Sequence, residues 1–244
     1  MHDDLAPHYD AMYDALSGDA FHAATAGLLR ILQGLCAPPA RVLDVGAGTG
    51  RIALPLAALG YAVTAVEPSR GMLDCLAHKA RLEAQHISLR AGLVPAALLP
   101  QDQHFALALL AFGVLDYMVD DANAERVLTA IHARCAPGGL CVVQPAPRLY
   151  MASRREEGGR FIREVDLRWE GEVAHLSHIV KLDQQTVADE TLTMRYRSPA
   201  DLQRLFERTG WRVRAETSDG AYPTWLLGRV GDGLGQEASG SCLH

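Results

Sequence analysis

Hydrophobic positions along the chain follow two periods, and the switch between them organises the molecule. Between residues 41 and 145, short apolar runs at Arg41–Val45, Tyr61–Val66, Ile87–Arg90, Phe105–Ala111 and Leu140–Gln144 alternate with helical-period stretches at 51–59, 70–84 and 121–135. Nearly continuous apolar strands separated by helices predict a parallel sheet covered on both faces. Ser69 is placed to cap the helix 70–84, and Pro55 kinks or shortens the helix 51–59. Ahead of this region, Phe21, Thr25, Leu28, Leu32 and Leu35 have helical spacing, and Pro38-Pro39 ends that helix. Earlier still, Tyr9-Asp10 and Tyr13-Asp14 repeat at a spacing of four, which puts both tyrosines on one face of a helix.

The period changes to two between 160 and 197. Glu164–Trp169, His175–Lys181 and Glu190–Tyr196 alternate, with Gly171 and Asp183–Gln185 between them. They predict three antiparallel strands with one buried face, inserted as a lid over the sheet. The preceding charged cluster, Arg154, Arg155, Glu156 and Glu157, reads as a solvated turn. The α/β pattern then resumes. Ser198, Pro199 and Asp201 form a capping-box start, Leu202, Leu205 and Phe206 an apolar face, and Gly210 a C′ stop. Trp211–Glu216 and Thr224–Val230 read as closing strands. The expected organisation is a helical cap (1–36), an α/β core (37–147), an antiparallel lid (148–197), completion of the core (198–230) and a disordered Gly-rich tail (231–244). There is no internal repeat.

Composition narrows the class. With 49% hydrophobic and 21% charged residues over 244 positions, the chain can bury a core without metals or disulfides. A net charge of -6 argues against a nucleic-acid partner. The acidic start Met1-His2-Asp3-Asp4 lacks an apolar signal core, and the longest nearly apolar run, Phe105–Leu115, is too short to span a bilayer. The five cysteines include no Cys-x-x-Cys pair and read as reduced and structural. These features point to a soluble, cytoplasmic protein, monomeric or homodimeric, with no nucleic-acid or membrane partner.

Candidate chemistry begins where the first strand ends, in Asp44-Val45-Gly46-Ala47-Gly48-Thr49-Gly50-Arg51. A glycine turn between a strand and a helix N-terminus lets a nucleotide-like ligand approach the backbone. A dinucleotide fingerprint needs a third glycine where Arg51 stands, which weighs against a nicotinamide-dependent oxidoreductase. The second strand ends in Glu67, 23 positions after Asp44, where a carboxylate could accept from both hydroxyls of a ribose.

In the order acid, G-x-G-x-G, Glu67, Pro68-Ser69, Met72-Leu73 and Pro137-Gly138-Gly139, residues 40–145 resemble the class I S-adenosylmethionine-dependent methyltransferases of bacterial small-molecule type. The resemblance implies a Rossmann-like, seven-stranded, mostly parallel sheet with helices on both faces and S-adenosyl-L-methionine as cofactor, with S-adenosyl-L-homocysteine as product. It implies a cofactor site at Asp44, Gly46, Ala47, Gly48, Gly50, Glu67, Pro68 and Met72. Where members carry an acid after the third strand, this chain has Gly92, so adenine falls to backbone groups, to Leu93 or to another polar side chain. Ala111 and Phe112, after the fourth strand, would border the methyl group. The (N/D)-P-P-(Y/F) motif of DNA-adenine and protein-glutamine methyltransferases is absent there.

Methyl transfer is an in-line displacement needing no metal, and alignment in a dry site can supply about 7–11 kcal/mol of the barrier. A base is needed when the acceptor must lose a proton. Asp116 and Tyr117 are the candidates to orient or deprotonate an amine or hydroxyl acceptor, against a reading in which Asp116 caps a turn and Tyr117 packs. The Tyr-Asp pairs resemble segments that cover the cofactor in this group. Tyr13 is nominated as a cofactor contact and Tyr9 as an acceptor contact, against core packing of both rings. The lid is similar in architecture to those of amino-sugar and glycine N-methyltransferases, and Arg148, Tyr150 and His175 are its acceptor candidates. His175 and His178 lie three apart, so on a strand they face opposite ways and cannot share an ion. No metal site is expected. A non-catalytic cofactor-binding protein of the same fold remains the alternative.

Overall fold

The computed structural model describes residues 2–218 and 220–231; the expected tail beyond Gly231, with Cys242, lies outside the described residues. The sheet order is β10-β11-β5-β4-β1-β2-β3. Its strands are β1 (Arg41–Val45), β2 (Ala62–Glu67), β3 (Ile87–Ala91), β4 (Phe105–Leu110), β5 (Cys135–Val143), β10 (Trp211–Ser218) and β11 (Pro223–Arg229). The first five run parallel, and β11 and β10 add antiparallel to β5 and to each other. This is the expected Rossmann-like α/β architecture.

Among the described residues, five α-helices cover the sheet: α1 (Tyr9–Leu35), α2 (Ala53–Ala58), α3 (Arg70–Leu82), α4 (Asp121–Arg134) and α5 (Pro199–Arg208). Alternate strand positions feed opposite layers. Leu43, Val45 and Leu110 pack with Leu128, Ile131 and Phe206 on one face. Val42, Val63 and Leu109 pack with Leu28, Leu32 and Leu76 on the other. Ser69 caps α3 by accepting from Met72 N–H, and Ser198 with Asp201 completes the capping box of α5. Pro55 lies inside α2, which has only six residues. No described helix is long and apolar enough to cross a membrane.

Three elements differ from the sequence reading. The N-terminal helix begins at Tyr9, ahead of the periodic run that starts at Phe21, and absorbs the Tyr-Asp repeat; it kinks at Ser17, whose φ is -145°. Pro137-Gly138-Gly139 is a bulge inside β5 and not a separate turn. The register shifts there, and a Cβ on Gly139 would lie 2.7 Å from Phe105 O. The lid has four strands: β6 (Arg154–Gly158), β7 (Phe161–Glu170), β8 (Val173–Leu182) and β9 (Gln185–Arg195). The charged cluster is the edge strand β6, held by Arg155–Glu164 and Arg163–Glu156 pairs across to β7. Charge on an edge strand blocks further pairing, which is why this strand carries no apolar alternation.

Candidate active site

The chain leaves β1 in one direction and β4 in the other, so the crevice beyond their carboxyl ends is the topological switch point where open α/β sheets bind ligands. Two segments meet there, the glycine turn 46–50 and the stretch 111–117. A Cβ on Gly46 would lie 2.6 Å from Val114 Cγ2, and one on Gly50 would lie 2.4 Å from Leu76 Cδ1. These two glycines have φ of +72° and +95°, so they serve both conformation and close packing. Gly48 differs: its φ is +56°, and a Cβ there meets nothing within 4 Å. It is the residue of the turn that leaves room for a ligand.

Two carboxylates flank the turn. Glu67 accepts from Gly48 N–H and Ser69 N–H at 2.8 Å each, one bond per oxygen, leaving lone pairs on both. Burial raises the pKa of its carboxyl against the lowering effect of those bonds. Asp44 is buried, and its Oδ2 has no hydrogen-bond partner. Burial first, and the Glu67 charge second, raise its pKa to about 7. An open glycine, a diol-competent carboxylate and an orphaned acid fit a ligand that brings a ribose and a cationic amine, as S-adenosylmethionine does. Met72 is buried at the start of α3, while Leu93 beside Gly92 is 65% exposed at the end of β3 and Pro68 is exposed. Ala47 is buried under the turn.

The N-terminal segment runs over this crevice. Asp3 Oδ1 accepts from Ser69 Oγ at 2.9 Å and from Gly71 N–H at 2.8 Å. Asp10 accepts from Thr49 Oγ1 of the glycine turn and pairs with Lys79, both at 2.7 Å. Arg51, where a dinucleotide protein would carry glycine, lies between the rings of Phe21 and Phe112 at 3.8 and 3.6 Å. It also donates to Thr25 Oγ1 and Phe21 O, tying α1 to the turn. Phe112 has a φ of +55°, an uncommon conformation for an aromatic residue, and Ala111 beside it is buried.

Tyr9 and Tyr13 face each other at 4.8 Å, and Tyr13 stacks on Phe21 at 5.0 Å. Both lie in the cluster joining α1 to the lid. Tyr117 borders the second lid cluster, and burial raises the pKa of its phenol. Asp116 is buried and accepts from Ala146 N–H at 2.7 Å, joining the loop after β4 to the one after β5; burial raises its pKa to about 7. Arg148 lies over Trp169 and Tyr196 at 4.7 and 5.0 Å. Tyr150 meets Tyr222, which in turn meets Phe112. His175 is not brought to the site. The inward positions of β8 are Ala174, Leu176, His178 and Val180, and His175 points outward, 45% exposed, toward Glu170.

The sequence reading gave no site role to the polar groups that face inward from the lid. His178 lies directly opposite Glu190 in the β8–β9 register. Arg163 Nε donates to His178 Nε2 at 3.2 Å. Glu190 accepts from His2 N–H and holds His2 Nδ1 at 2.7 Å. Arg197, buried below the loop, donates to the carbonyls of Leu115 and Met118 and to Asp121. The available signal was parity. Phe161-x-Arg163-x-Val165, Leu176-x-His178-x-Val180 and Ala188-x-Glu190-x-Leu192 each put a polar residue at an apolar phase. His2, His178 and Glu190 also lie close enough to hold one ion. The bond from Arg163, however, leaves the His178 proton on Nδ1, so this nitrogen has no lone pair for a metal.

Residues 42–139 match the family described as a methyltransferase domain. A ubiquinone biosynthesis O-methyltransferase from Methylocella silvestris is 34% identical over 111 residues, which cover 46% of this chain and 40% of that protein. The chain thus aligns with less than half the length of that curated relative. A solved S-adenosylmethionine-dependent methyltransferase from Clostridium acetobutylicum superposes with a TM-score of 0.76 at 14% identity, over 92% of this chain and 99% of that one. An S-adenosylmethionine-bound amino pentose methyltransferase from Micromonospora echinaspora superposes with a TM-score of 0.71 at 19% identity, over 91% and 96% of the two chains. At these identities the superpositions establish the fold. Residues 42–139 thus match a methyltransferase domain, and the chain has the fold of S-adenosylmethionine-dependent methyltransferases.

Proposed function

We propose that the protein transfers a methyl group from S-adenosyl-L-methionine to an amine or hydroxyl of a small molecule. One observation carries this reading: the open Gly48 lies beside a Glu67 carboxylate that keeps free lone pairs, with the orphaned Asp44 oxygen beneath. When bound, the cofactor supplies a methyl carbon activated by its sulfonium. Glu67 accepts from the ribose hydroxyls, and Asp44 answers the methionine amine. Met72, Pro68, Leu93 and the backbone at Gly92 flank adenine. Tyr13, Ala111 and Phe112 close around the methyl end.

Tyr9, Tyr117, Tyr150 and Arg148 border the acceptor, and Asp116 holds Tyr117 in place through Ala146. Catalysis then rests mainly on alignment and exclusion of water. The names of two similar proteins, an O-methyltransferase of ubiquinone biosynthesis and an amino pentose methyltransferase, support a small acceptor. The net charge of -6 supports one other than nucleic acid.

The test has two parts. Calorimetry should detect S-adenosylmethionine binding, weakened in Glu67→Gln by about 10- to 150-fold, the equivalent of about 1.5–3 kcal/mol for a charge-assisted bond. Incubation with methyl-labelled cofactor and a metabolite extract should yield a labelled product identifiable by mass. Binding without turnover would leave a cofactor-binding protein; no binding, with Glu67→Gln indistinguishable from wild type, would sink the reading.

A further inference from the structure

We infer that His2, oriented by Glu190, is the general base that takes the proton of a hydroxyl acceptor in the cleft beside Tyr117. The inference rests on the methyl-transfer reading above and narrows its acceptor from amine or hydroxyl to hydroxyl.

The cleft has a volume of about 460 Å³ and is lined by His2, Tyr117, Glu190, Thr191, Leu192 and Thr193, with Asp3 and Asp4 at its edge. It lies where the N-terminal segment, the loop after β4 and lid strand β9 converge. The His2 ring is edge-on to Tyr117, with centroids 6.2 Å apart. Asp3, the next residue, is fixed to the capping turn that follows Glu67. The ring therefore sits between Glu67 and the lid, in the region that the methyl-transfer reading gives to the acceptor.

The hydrogen bonds set its tautomer. Glu190 holds the His2 backbone N–H through Oε1 and Nδ1 through Oε2 at 2.7 Å. A carboxylate only accepts, so Nδ1 carries the proton and Nε2 keeps its lone pair. Glu190 is kept ionised. Burial would raise its pKa, but the hydrogen bonds from the His2 ring and backbone N–H outweigh burial and hold it well below the usual carboxylate range. Arg163 donates to His178 Nε2, which leaves the His178 proton on Nδ1, 3.6 Å from Glu190 and beyond hydrogen-bond reach. A carboxylate behind an imidazole orients the ring and stabilises the imidazolium that forms. The ionisable groups around His2 are Asp3 and Asp4 on its own segment, Glu67 on β2, Tyr117 after β4, and Arg163, His178 and Glu190 on the lid.

An amine attacks through its own lone pair and gains little from such a base, whereas a hydroxyl needs one. In the step, the acceptor O–H proton passes to Nε2 of His2 as the oxygen–methyl bond forms. The methyl–sulfur bond breaks and its electron pair stays on sulfur. The imidazolium, paired with Glu190, then releases the proton to water.

The experiment follows label transfer from methyl-labelled cofactor into metabolite extract between pH 6 and 9, beside calorimetry of cofactor binding. His2→Gln should lose about 100-fold or more at pH 7, with a smaller loss at high pH, and should keep its cofactor affinity within an order of magnitude. Glu190→Gln should lose less, and Glu190→Asp should recover part of that loss. Nitrogen-15 NMR of labelled histidine should find His2 in the Nδ1–H form in wild type and as a mixture in Glu190→Gln. Equal transfer by wild type and His2→Gln, or a labelled product methylated only on nitrogen, would overturn the base assignment alone. Stoichiometric zinc binding lost in His178→Ala would also overturn it, by making the trio a metal site. No transfer by wild type would instead bring down the functional reading beneath it.

Discussion

The glycine turn offers a test that separates architecture from ligand binding with a single methyl group. In Gly50→Ala the new Cβ would lie 2.4 Å from Leu76 Cδ1 and 3.0 Å from Leu54 Cδ1, at a φ of +95°. Leu76 is fully buried in α3 and Leu54 nearly so in α2, so neither can step aside into solvent. Overpacking of this kind costs about 1–3 kcal/mol, and a left-handed backbone adds about 1–2 kcal/mol for a residue with a Cβ. The sum, about 2–5 kcal/mol, corresponds to a melting-temperature drop of about 4–20 °C in a chain of this size. Gly48→Ala carries only the backbone cost, about 1–2 kcal/mol, because nothing lies within 4 Å of its Cβ. Its methyl group projects instead into the space assigned to the cofactor. Urea denaturation followed by fluorescence of the buried Trp211 and Trp225, beside calorimetry of cofactor binding, reads both effects. Gly50→Ala should be markedly destabilised. Gly48→Ala should stay folded and bind the cofactor at least about tenfold more weakly, equivalent to about 1.4 kcal/mol. Gly48→Ala binding like wild type, or unfolding as readily as Gly50→Ala, would refute the division of labour within the turn.

Three further outcomes follow from named contacts. Because the Asp44 pKa rises from 3.8 to about 7, the folded chain keeps a proton that the unfolded chain has released. Its contribution to stability is therefore full below about pH 4 and lost as pH rises to about 7. Asp44→Asn should flatten that part of the urea-midpoint profile. Arg51→Lys removes a planar group between two rings and a forked donor to α1; a loss of about 1–2 kcal/mol and faster proteolytic cleavage ahead of residue 36 should result. Arg197→Met strips the Leu115 and Met118 carbonyls and Asp121 of a buried donor. It should cost about 1.5–3 kcal/mol in urea denaturation and lower label transfer by disturbing Tyr117.

The half of the candidate site proposed for the cofactor was legible in the sequence because its parts lie at the ends of regular elements. Asp44, the three glycines and Glu67 follow apolar strands whose pattern announces where each strand stops, and Ser69 marks the start of the next helix. The half proposed for the acceptor is assembled across long sequence separations. His2 meets Glu190 at a separation of 188 residues, and Arg197 meets Met118 at 79. No local pattern encodes such pairs. What the lid strands did encode was phase: Arg163, His178 and Glu190 break the apolar set on the inward face, and a polar residue at a buried phase must find partners. The same parity explains why His175 turns away while His178 turns in. The edge strand Arg154–Gly158 escaped notice for the opposite reason, since a strand that must not recruit a neighbour carries charge where a buried one carries valine. Regular elements thus disclose what the protein holds. The exceptions to their pattern, Arg163, His178 and Glu190, lie side by side and end at Glu190, which lines the cleft with His2 and Tyr117.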